Sequence, residues 1–304
     1  MQLNERGRIS IEDPLVKYLP EFPYPDITLR QLMSHTSGLP DFQIFTGYGG
    51  GTKGRLTNVD LIPALKKWGK VVAPPGTRWS YSSVGIGLLA LVVEKVSGVS
   101  FPRYVSENIC QPAGMRNTYV NTLDSLKPDP LRAVAYVNPG PDSPGLTPAD
   151  TVKSDSMNPF QTIVGPGLVV STAPDLLLFD EALYTDKLLH SASLDEMFTP
   201  AKLSDGSPAQ LEGAPLYAGL VWGIDIDDSS GTIVSHNGGN PGIATILMRN
   251  LKTHDTVIVL ENTDNRSVLE FGLNAMNILL HRPPMAFGPM QGQPPGVRGG
   301  PPPG

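Results

Sequence analysis

Hydrophobic and polar residues follow two different patterns along the chain. Up to about Leu211, apolar residues lie at helical spacing in short segments, separated by long loops rich in proline and glycine. After Leu211, apolar and polar residues alternate with a period of two, which is typical of β-strands with one buried face. The pattern therefore predicts a mostly helical part followed by a part built from strands.

Four helices are predicted in the first part from their caps and apolar spacing. Thr28 and Gln31 form a capping box at the start of the first helix, and Asn58 is the predicted cap of the second. The third, from Ser83 to Ser97, is apolar on nearly every face, which is typical of a buried helix. Thr172 is the predicted cap of the fourth.

Four strands and a final helix are predicted after Leu211. The strands are 220–226, 232–235, 243–248 and 256–260, and the helix is 267–280. The turns between the strands are too short for a crossover, so successive strands must pair antiparallel. The helix is expected to pack on one face of this sheet.

The composition excludes several classes of function. The formal net charge is −6 and lysine and arginine form no cluster, so a nucleic-acid partner is not expected. The single cysteine, Cys110, excludes an internal disulfide and a cysteine-rich zinc site. The five histidines lack the spacing of a metal-binding pair, so we expect neither a metal nor a cofactor. No run approaches the roughly 18 apolar residues of a membrane span, so no transmembrane segment is predicted.

Three regions are predicted along the chain. They are a mostly helical domain with long loops (1–211), an antiparallel sheet with a C-terminal helix (212–281) and a disordered tail (282–304). Residues 283–304 include eight prolines and six glycines, a composition that cannot form a core. A solvated tail is the favoured interpretation, and a proline-rich ligand for a partner domain is the alternative.

Three sequence segments are specific only in combination. They are residues 27–40, which include Ser34-His35-Thr36-Ser37-Gly38; Pro75-Gly76-Thr77 followed by Tyr81-Ser82-Ser83; and residues 236–242, which begin with His236-Asn237-Gly238-Gly239. A fourth segment, 167–176, lies between the last two. In this order they resemble the β-lactamase-related serine hydrolases, which include class C β-lactamases, D-alanyl-D-alanine carboxypeptidases and penicillin-binding-protein-like esterases. The resemblance extends over about residues 1–262.

The resemblance implies an α+β fold of the β-lactamase/transpeptidase type. In this fold a helical domain packs beside an antiparallel sheet flanked by helices, and the active site lies in the cleft between them. The implied chemistry is acyl transfer through a serine ester, with the serine in a Ser-x-x-Lys turn at the start of a buried helix. The expected partner is a small-molecule or peptide substrate with an acyl group: a D-alanine peptide, an ester or a β-lactam.

Five residues match the site motifs of the family. Tyr81 matches the tyrosine that shuttles protons, and Ser83 stands at a substrate-binding position where the family usually has asparagine. His236 and Gly238 match the substrate-binding strand, and the N–H of Gly239 would serve the oxyanion hole. The alternatives are that Tyr81 serves packing and that His236 ends a strand; the order of the segments favours a site.

The segment from His35 to Gly38 is interpreted as the end of the first helix and not as part of a catalytic triad. Gly38 is expected to adopt the left-handed conformation that ends helices. The hydroxyls of Thr36 and Ser37 are expected to cap local backbone groups.

No lysine in the sequence follows a serine at the Ser-x-x-Lys spacing. In the family, a segment like 1–15 directly follows the nucleophile helix. We therefore expect this chain to lack the N-terminal strands, part of that helix and the signal peptide of a secreted or periplasmic protein. One hypothesis is an inactive hydrolase fragment, and the alternative is a non-catalytic protein that binds ligands in the cleft. An unpaired sheet edge would then cause poor solubility or dimerisation, while the native oligomeric state stays open.

Overall fold

The computed structural model describes residues 1–50, 56–122, 129–137, 145–149, 162–227, 229–263 and 267–285. The α-helices are α1 (Gln2–Glu5), α2 (Leu29–Met33), α3 (Leu61–Trp68), α4 (Ser83–Ser97), α5 (Phe101–Val105), α6 (Gln111–Ala113), α7 (Ala173–Ala182), α8 (Ser191–Met197) and α9 (Ser267–Leu279). The strands are β1 (Tyr119–Val120), β2 (Tyr136–Val137), β3 (Thr147–Pro148), β4 (Val169–Val170), β5 (Tyr217–Ala218), β6 (Gly223–Asp225), β7 (Ile233–Asn240), β8 (Ile243–Asn250) and β9 (Thr256–Glu261). Most of the predicted tail, from residue 286 onward, lies outside the described residues.

The main sheet of the described residues is antiparallel and has the strand order β5-β6-β7-β8-β9. Strands that follow each other in sequence are neighbours in space, as the short turns predict. Helix α9 packs on one face of the sheet, where Val268 and Met276 join Ile246 and Met248 in a buried cluster. The predicted antiparallel sheet and its covering helix are therefore confirmed.

The caps of two predicted helices and the limits of a third are confirmed. In α2 the Thr28 hydroxyl accepts the N–H of Gln31, and the Gln31 side chain accepts the N–H of Thr28. Thr172 caps α7 by accepting a backbone N–H in its first turn. Helix α4 spans Ser83–Ser97 as predicted and ends at Gly98, whose φ is +79°.

The prediction that Asn58 caps α3 is wrong. The short helical turn that precedes α3, Asn58–Asp60, is capped by Thr57. The carboxylate of Asp60 accepts the backbone N–H of Thr57 at 2.8 Å. The Asn58 amide is buried and donates to the carbonyls of Gly87 and Val164. Its long-range hydrogen bonds join the start of α3 to α4, and they replace the local bond that the cap prediction assumed.

The sheet differs from the prediction at its first strand. Residues 220–222 form the turn between β5 and β6, so β6 spans only three residues. Val221 has a φ of +72°, and its N–H donates to the carbonyl of Met33 at 2.7 Å. The apolar residues of this turn contact the ends of α2 and α8, so they match the pattern of a strand without forming one.

A large buried cluster surrounds α2, α3 and α4. It includes Leu29, Leu32, Leu61, Leu65 and Leu88, all of them almost fully buried. This packing places the N-terminus of α4 beside the end of α2. The predicted domain boundary between residues 211 and 212 stays a prediction.

In the part of the chain that the structure describes, no single helix has the length and apolarity to cross a membrane. Ser83–Ser97 and Phe101–Ala113 meet those criteria only when they are combined, and they are bent by 78° relative to each other.

Candidate active site

The segment after α2 and the loop before α4 are hydrogen-bonded to each other. The Ser80 N–H donates to the carbonyl of His35 (2.7 Å), and the Ser82 N–H donates to His35 Nδ1 (3.2 Å). The Ser82 hydroxyl donates to the carbonyl of Pro40 (2.9 Å). The first two motif segments of the sequence therefore form one structural unit around Tyr81.

Gly38 allows the two segments to come this close. A Cβ atom at this position would lie 2.0 Å from the carbonyl oxygen of Ala73, and the φ of Gly38 is +68°. The Gly38 carbonyl accepts the N–H of Val72 (2.8 Å), and the Thr36 carbonyl accepts the N–H of Gly76 (2.7 Å). Both the left-handed backbone and the close contact require glycine here.

Tyr81 lies on this unit with its side chain 38% exposed. Its ring is stacked on the imidazole of His35, with centroids 4.5 Å apart and planes 32° apart. The indole of Trp79 lies against both, 6.3 Å from the Tyr81 centroid and 6.2 Å from that of His35. Tyr81 is thus supported by an aromatic cluster and still accessible to a ligand.

Strand β7 carries the third motif along an open edge. In the described structure β6 pairs with β7 only as far as Ser235, so the residues beyond it have no strand partner on that side. His236 follows directly and is partly buried, whereas Gly238 and Gly239 are exposed. The strand predicted to end at Ser235 continues to Asn240, because the glycine-containing residues after Ser235 pair with β8, so His236 lies inside β7; its contact with a substrate stays a prediction.

The register of the β7–β8 hairpin orients the amide of Gly239. Asn240 and Ile243 flank the two-residue turn, so these two residues must exchange both of their backbone hydrogen bonds. Backbone groups alternate in direction along a strand, so the N–H and C=O of Gly239 point away from β8 and toward the open edge. A backbone donor in this orientation is available to a developing oxyanion.

The two histidines of the motifs both have a lowered pKa. Burial lowers the pKa of His35 to about 3, and repulsion from His236 contributes to this shift. Burial also lowers the pKa of His236, so both imidazoles are neutral at pH 7.

The β-lactamase family model matches residues 1–279 of the chain. The chain belongs to the β-lactamase family. The family resemblance, which rested on the order of the Tyr81 segment and the His236 strand, is thus confirmed.

The relatives in this family are penicillin-binding proteins and peptidases. Penicillin-binding protein 4* of Bacillus subtilis strain 168 is 32% identical over 271 residues, which cover 88% of this chain and 58% of the relative. The putative penicillin-binding protein PbpX of the same strain is 30% identical over 88% of this chain and 60% of its own length. A D-aminopeptidase of Cereibacter sphaeroides is 27% identical, over 74% of this chain and 40% of the relative. The chain thus spans about 60% or less of the length of these relatives.

Solved structures confirm the β-lactamase/transpeptidase fold. A penicillin-binding protein from Bacillus halodurans superposes with a TM-score of 0.73 at 26% identity, covering 91% of this chain and 81% of that one. A D-stereospecific amidohydrolase from a Streptomyces species gives 0.70 at 26% identity, covering 90% and 82%. The predicted α+β architecture, with helices beside an antiparallel sheet, is therefore correct.

Ser83, the predicted substrate ligand, lies at the start of α4 and is only 4% exposed. Its N–H donates to Asp41 Oδ1 at 2.9 Å, and its hydroxyl is also bonded to this carboxylate. Burial raises the pKa of Asp41, partly offset by these hydrogen bonds. Ser83 is thus buried next to Asp41, and its contact with a substrate stays a prediction.

His35 and Trp79 belong to the site and were not identified from the sequence. His35, with a φ of +55°, follows the last residues of α2, so it and not Gly38 is the first left-handed residue after the helix. A non-glycine residue in this conformation can be recognised only from the backbone. Within the described residues, no three His, Cys, Asp or Glu side chains come together as a metal site.

Proposed function

We propose that the site belongs to a serine hydrolase that cleaves amide or ester bonds by acyl transfer, with D-amino-acid peptides or amides as its substrate class. The observation that carries this proposal is that a member of the family presents both an accessible Tyr81 on its helical wall and an outward amide of Gly239 on its sheet wall. One wall offers a proton carrier and the other an oxyanion donor, which are two components of acyl transfer.

The substrate class is proposed from the relatives and the open strand edge. Two of the relatives are D-aminopeptidase of Cereibacter sphaeroides and D-alanyl-D-alanine-carboxypeptidase/endopeptidase AmpH of Escherichia coli. The free side of β7 beyond Ser235 can pair with an extended peptide, since strand edges bind peptides through main-chain hydrogen bonds. A neutral His236 would bind a substrate carboxylate by hydrogen bonding rather than by charge.

The Ser-x-x-Lys motif, which carries the nucleophile in the family, is absent from these 304 residues. Because no lysine follows a serine at the Ser-x-x-Lys spacing, we expect this chain to bind ligands without forming an acyl-enzyme. The second candidate function, a non-catalytic ligand-binding protein, rests on the same observation.

Benzylpenicillin tests both parts of the proposal. The full chain is incubated with it, its intact mass is recorded, and non-covalent binding is followed by NMR. We expect binding without a mass increase, and D-alanyl-D-alanine should bind more tightly than L-alanyl-L-alanine. A stoichiometric adduct would refute the absence of a nucleophile, and no binding of any of the three compounds would refute the proposed site.

Two matched variants test whether the ligand binds at Tyr81. Tyr81→Phe removes the phenol of the proposed site, whereas Tyr24→Phe removes a buried hydroxyl that has no hydrogen-bond partner among the described residues. Binding should weaken about tenfold in the first variant, the loss of a hydrogen bond in a partly buried site, and stay unchanged in the second. Equal affinities would place the binding site elsewhere.

A further inference from the structure

His35 contacts three consecutive residues of the loop that carries Tyr81. Its carbonyl accepts the N–H of Ser80, its Nδ1 accepts the N–H of Ser82, and its ring is stacked on that of Tyr81. The backbone on each side of Tyr81 is therefore fixed by the same residue that contacts the Tyr81 ring. No other residue described in the structure combines these three contacts.

The backbone of His35 adopts a conformation that disfavours most side chains. Its φ of +55° is unfavourable for a residue with a Cβ atom, because the Cβ atom then crowds the backbone carbonyl. Such strain persists only where surrounding contacts over-determine the conformation, and it concentrates at functional sites. Here the left-handed turn directs both the carbonyl and the imidazole of His35 toward the Tyr81 loop.

The hydrogen bond from Ser82 determines the tautomer of His35. An imidazole nitrogen that accepts a hydrogen bond carries no proton, so the neutral ring must carry its proton on Nε2. Nε2 is buried and has no partner among the described residues. The side chain is 5% exposed, which keeps water from competing for Nδ1.

We propose that His35 is a positioning residue for Tyr81: it holds the Tyr81 ring in its partly exposed orientation through the Ser80 and Ser82 amides and through the tilted ring contact. This inference rests on the proposed function, in which the phenol of Tyr81 carries a proton. It adds that His35, a residue of a different motif, orients that phenol. Preorganisation of this kind matters because misplacing a reacting group by about 1 Å can cost on the order of a hundredfold in rate.

The unmodified protein gives the first test. The ¹⁵N chemical shifts of the His35 ring at pH 7 should show a bare Nδ1 and a protonated Nε2, with cross-relaxation between the His35 and Tyr81 ring protons. A protonated Nδ1, or the absence of cross-relaxation between the two rings, would overturn the proposal. This measurement requires neither activity nor a variant.

His35→Asn gives the second test. The Asn Oδ1 can replace Nδ1 as the acceptor, and Asn tolerates a left-handed backbone, but the ring is lost. In ¹³C-tyrosine-labelled protein, with Tyr81 assigned through Tyr81→Phe, we expect the Tyr81 signal to move toward the shift of free tyrosine. The affinity for benzylpenicillin should fall about tenfold.

His254→Asn is the matched control. His254 also has a positive φ (+62°) and is stacked on a tyrosine, Tyr184, with centroids 3.9 Å apart, but it lies after β8 and outside the cleft. This variant should move the Tyr184 signal and leave both the Tyr81 signal and the affinity for benzylpenicillin unchanged.

The readouts separate this proposal from the proposed function. If His35→Asn lowers the melting temperature but leaves the Tyr81 signal unchanged, His35 is only structural and the positioning role is refuted. If the Tyr81 signal moves but the wild-type protein binds no benzylpenicillin, the positioning role stands and the proposed function fails.

Discussion

At the residue scale, one buried histidine shapes the geometry of the site and contributes to the response of the fold to acid. His35 makes its hydrogen bond to Ser82 only as a neutral imidazole, and burial holds its pKa at about 3. In the unfolded chain the same group would titrate near pH 6.5. Between these two values the unfolded state binds a proton that the native state does not.

Stability should therefore fall as the pH drops from about 6.5 to about 3. Above pH 6.5 this contribution is fully present, and between pH 7.5 and 4.5 it changes by about 2–3 kcal/mol. Urea unfolding at the two pH values measures it, and His35→Asn should be less pH-dependent by that amount. Parallel pH dependence in the two proteins would contradict the assigned shift.

At Gly38, the absence of a Cβ atom determines the local structure. In Gly38→Ala the added Cβ would meet the Ala73 carbonyl at 2.0 Å, so the contact between the two motif segments must open. Gly98→Ala is a matched control, because Gly98 also has a positive φ but nothing lies within 4 Å of its Cβ position. The control should lose about 1 kcal/mol of unfolding free energy, and Gly38→Ala at least about 3 kcal/mol. If the two variants lose equal unfolding free energy in urea, the contact between Gly38 and Ala73 can open without a cost in stability, and the prediction is wrong.

At the element scale, a buried ion pair joins α7 to the sheet. Arg249 of β8 and Asp180 of α7 are 1% and 2% exposed, and Arg249 Nε lies 3.1 Å from Asp180 Oδ1. Thr256 of β9 donates to the other carboxylate oxygen (2.6 Å), and the guanidinium lies over the ring of Tyr184. Each charge therefore depends on the other for its solvation inside the protein.

Removing one partner should be costly. Asp180→Ala leaves the Arg249 guanidinium buried without a counter-charge, and we expect a loss of about 3–5 kcal/mol in urea unfolding. Asp195→Ala is the control, since Asp195 is exposed and lies inside α8, and its change should stay within about 0.5 kcal/mol. The double variant Asp180→Leu with Arg249→Met should recover much of the loss. A loss below about 1 kcal/mol for Asp180→Ala would contradict the prediction, because it would mean that groups other than Asp180 stabilise the charge of Arg249.

At the scale of the whole molecule, the described sheet has an open edge at β9. The register with β8 turns the N–H groups of Ile258 and Leu260 outward, and Leu260 is 42% exposed. An exposed apolar edge strand is a template for pairing with another chain.

We expect the protein to dimerise through this edge or to aggregate. Light scattering after size-exclusion chromatography should show a dimer or larger species whose population falls on dilution. Leu260→Lys should shift the protein toward monomer, because a charged side chain opposes edge pairing. Val59→Lys changes an exposed residue of the helical part and should have no effect. A monodisperse wild-type monomer with a cooperative melt would contradict the prediction.

Local physical rules account for much of what the sequence predicted. The caps Thr28 and Thr172 and the limits of α4 depend on neighbouring residues, and they were predicted correctly. The antiparallel pairing of β6 to β9 follows from short turns. Asn58 and residues 220–222 were predicted wrongly because their hydrogen bonds go to partners far along the chain.

The sequence by itself determined the family, the limits of α4, the caps of α2 and α7, the antiparallel order of β6 to β9 and the motif matches Tyr81, His236 and Gly239, since each depends on residue type and on spacing along the chain. Only the tertiary structure decided that His35 holds Tyr81, that Ser83 lies against Asp41 and that Arg249 pairs with Asp180. The partners in these contacts lie tens of residues apart, and their energies arise from burial and geometry that exist only after folding.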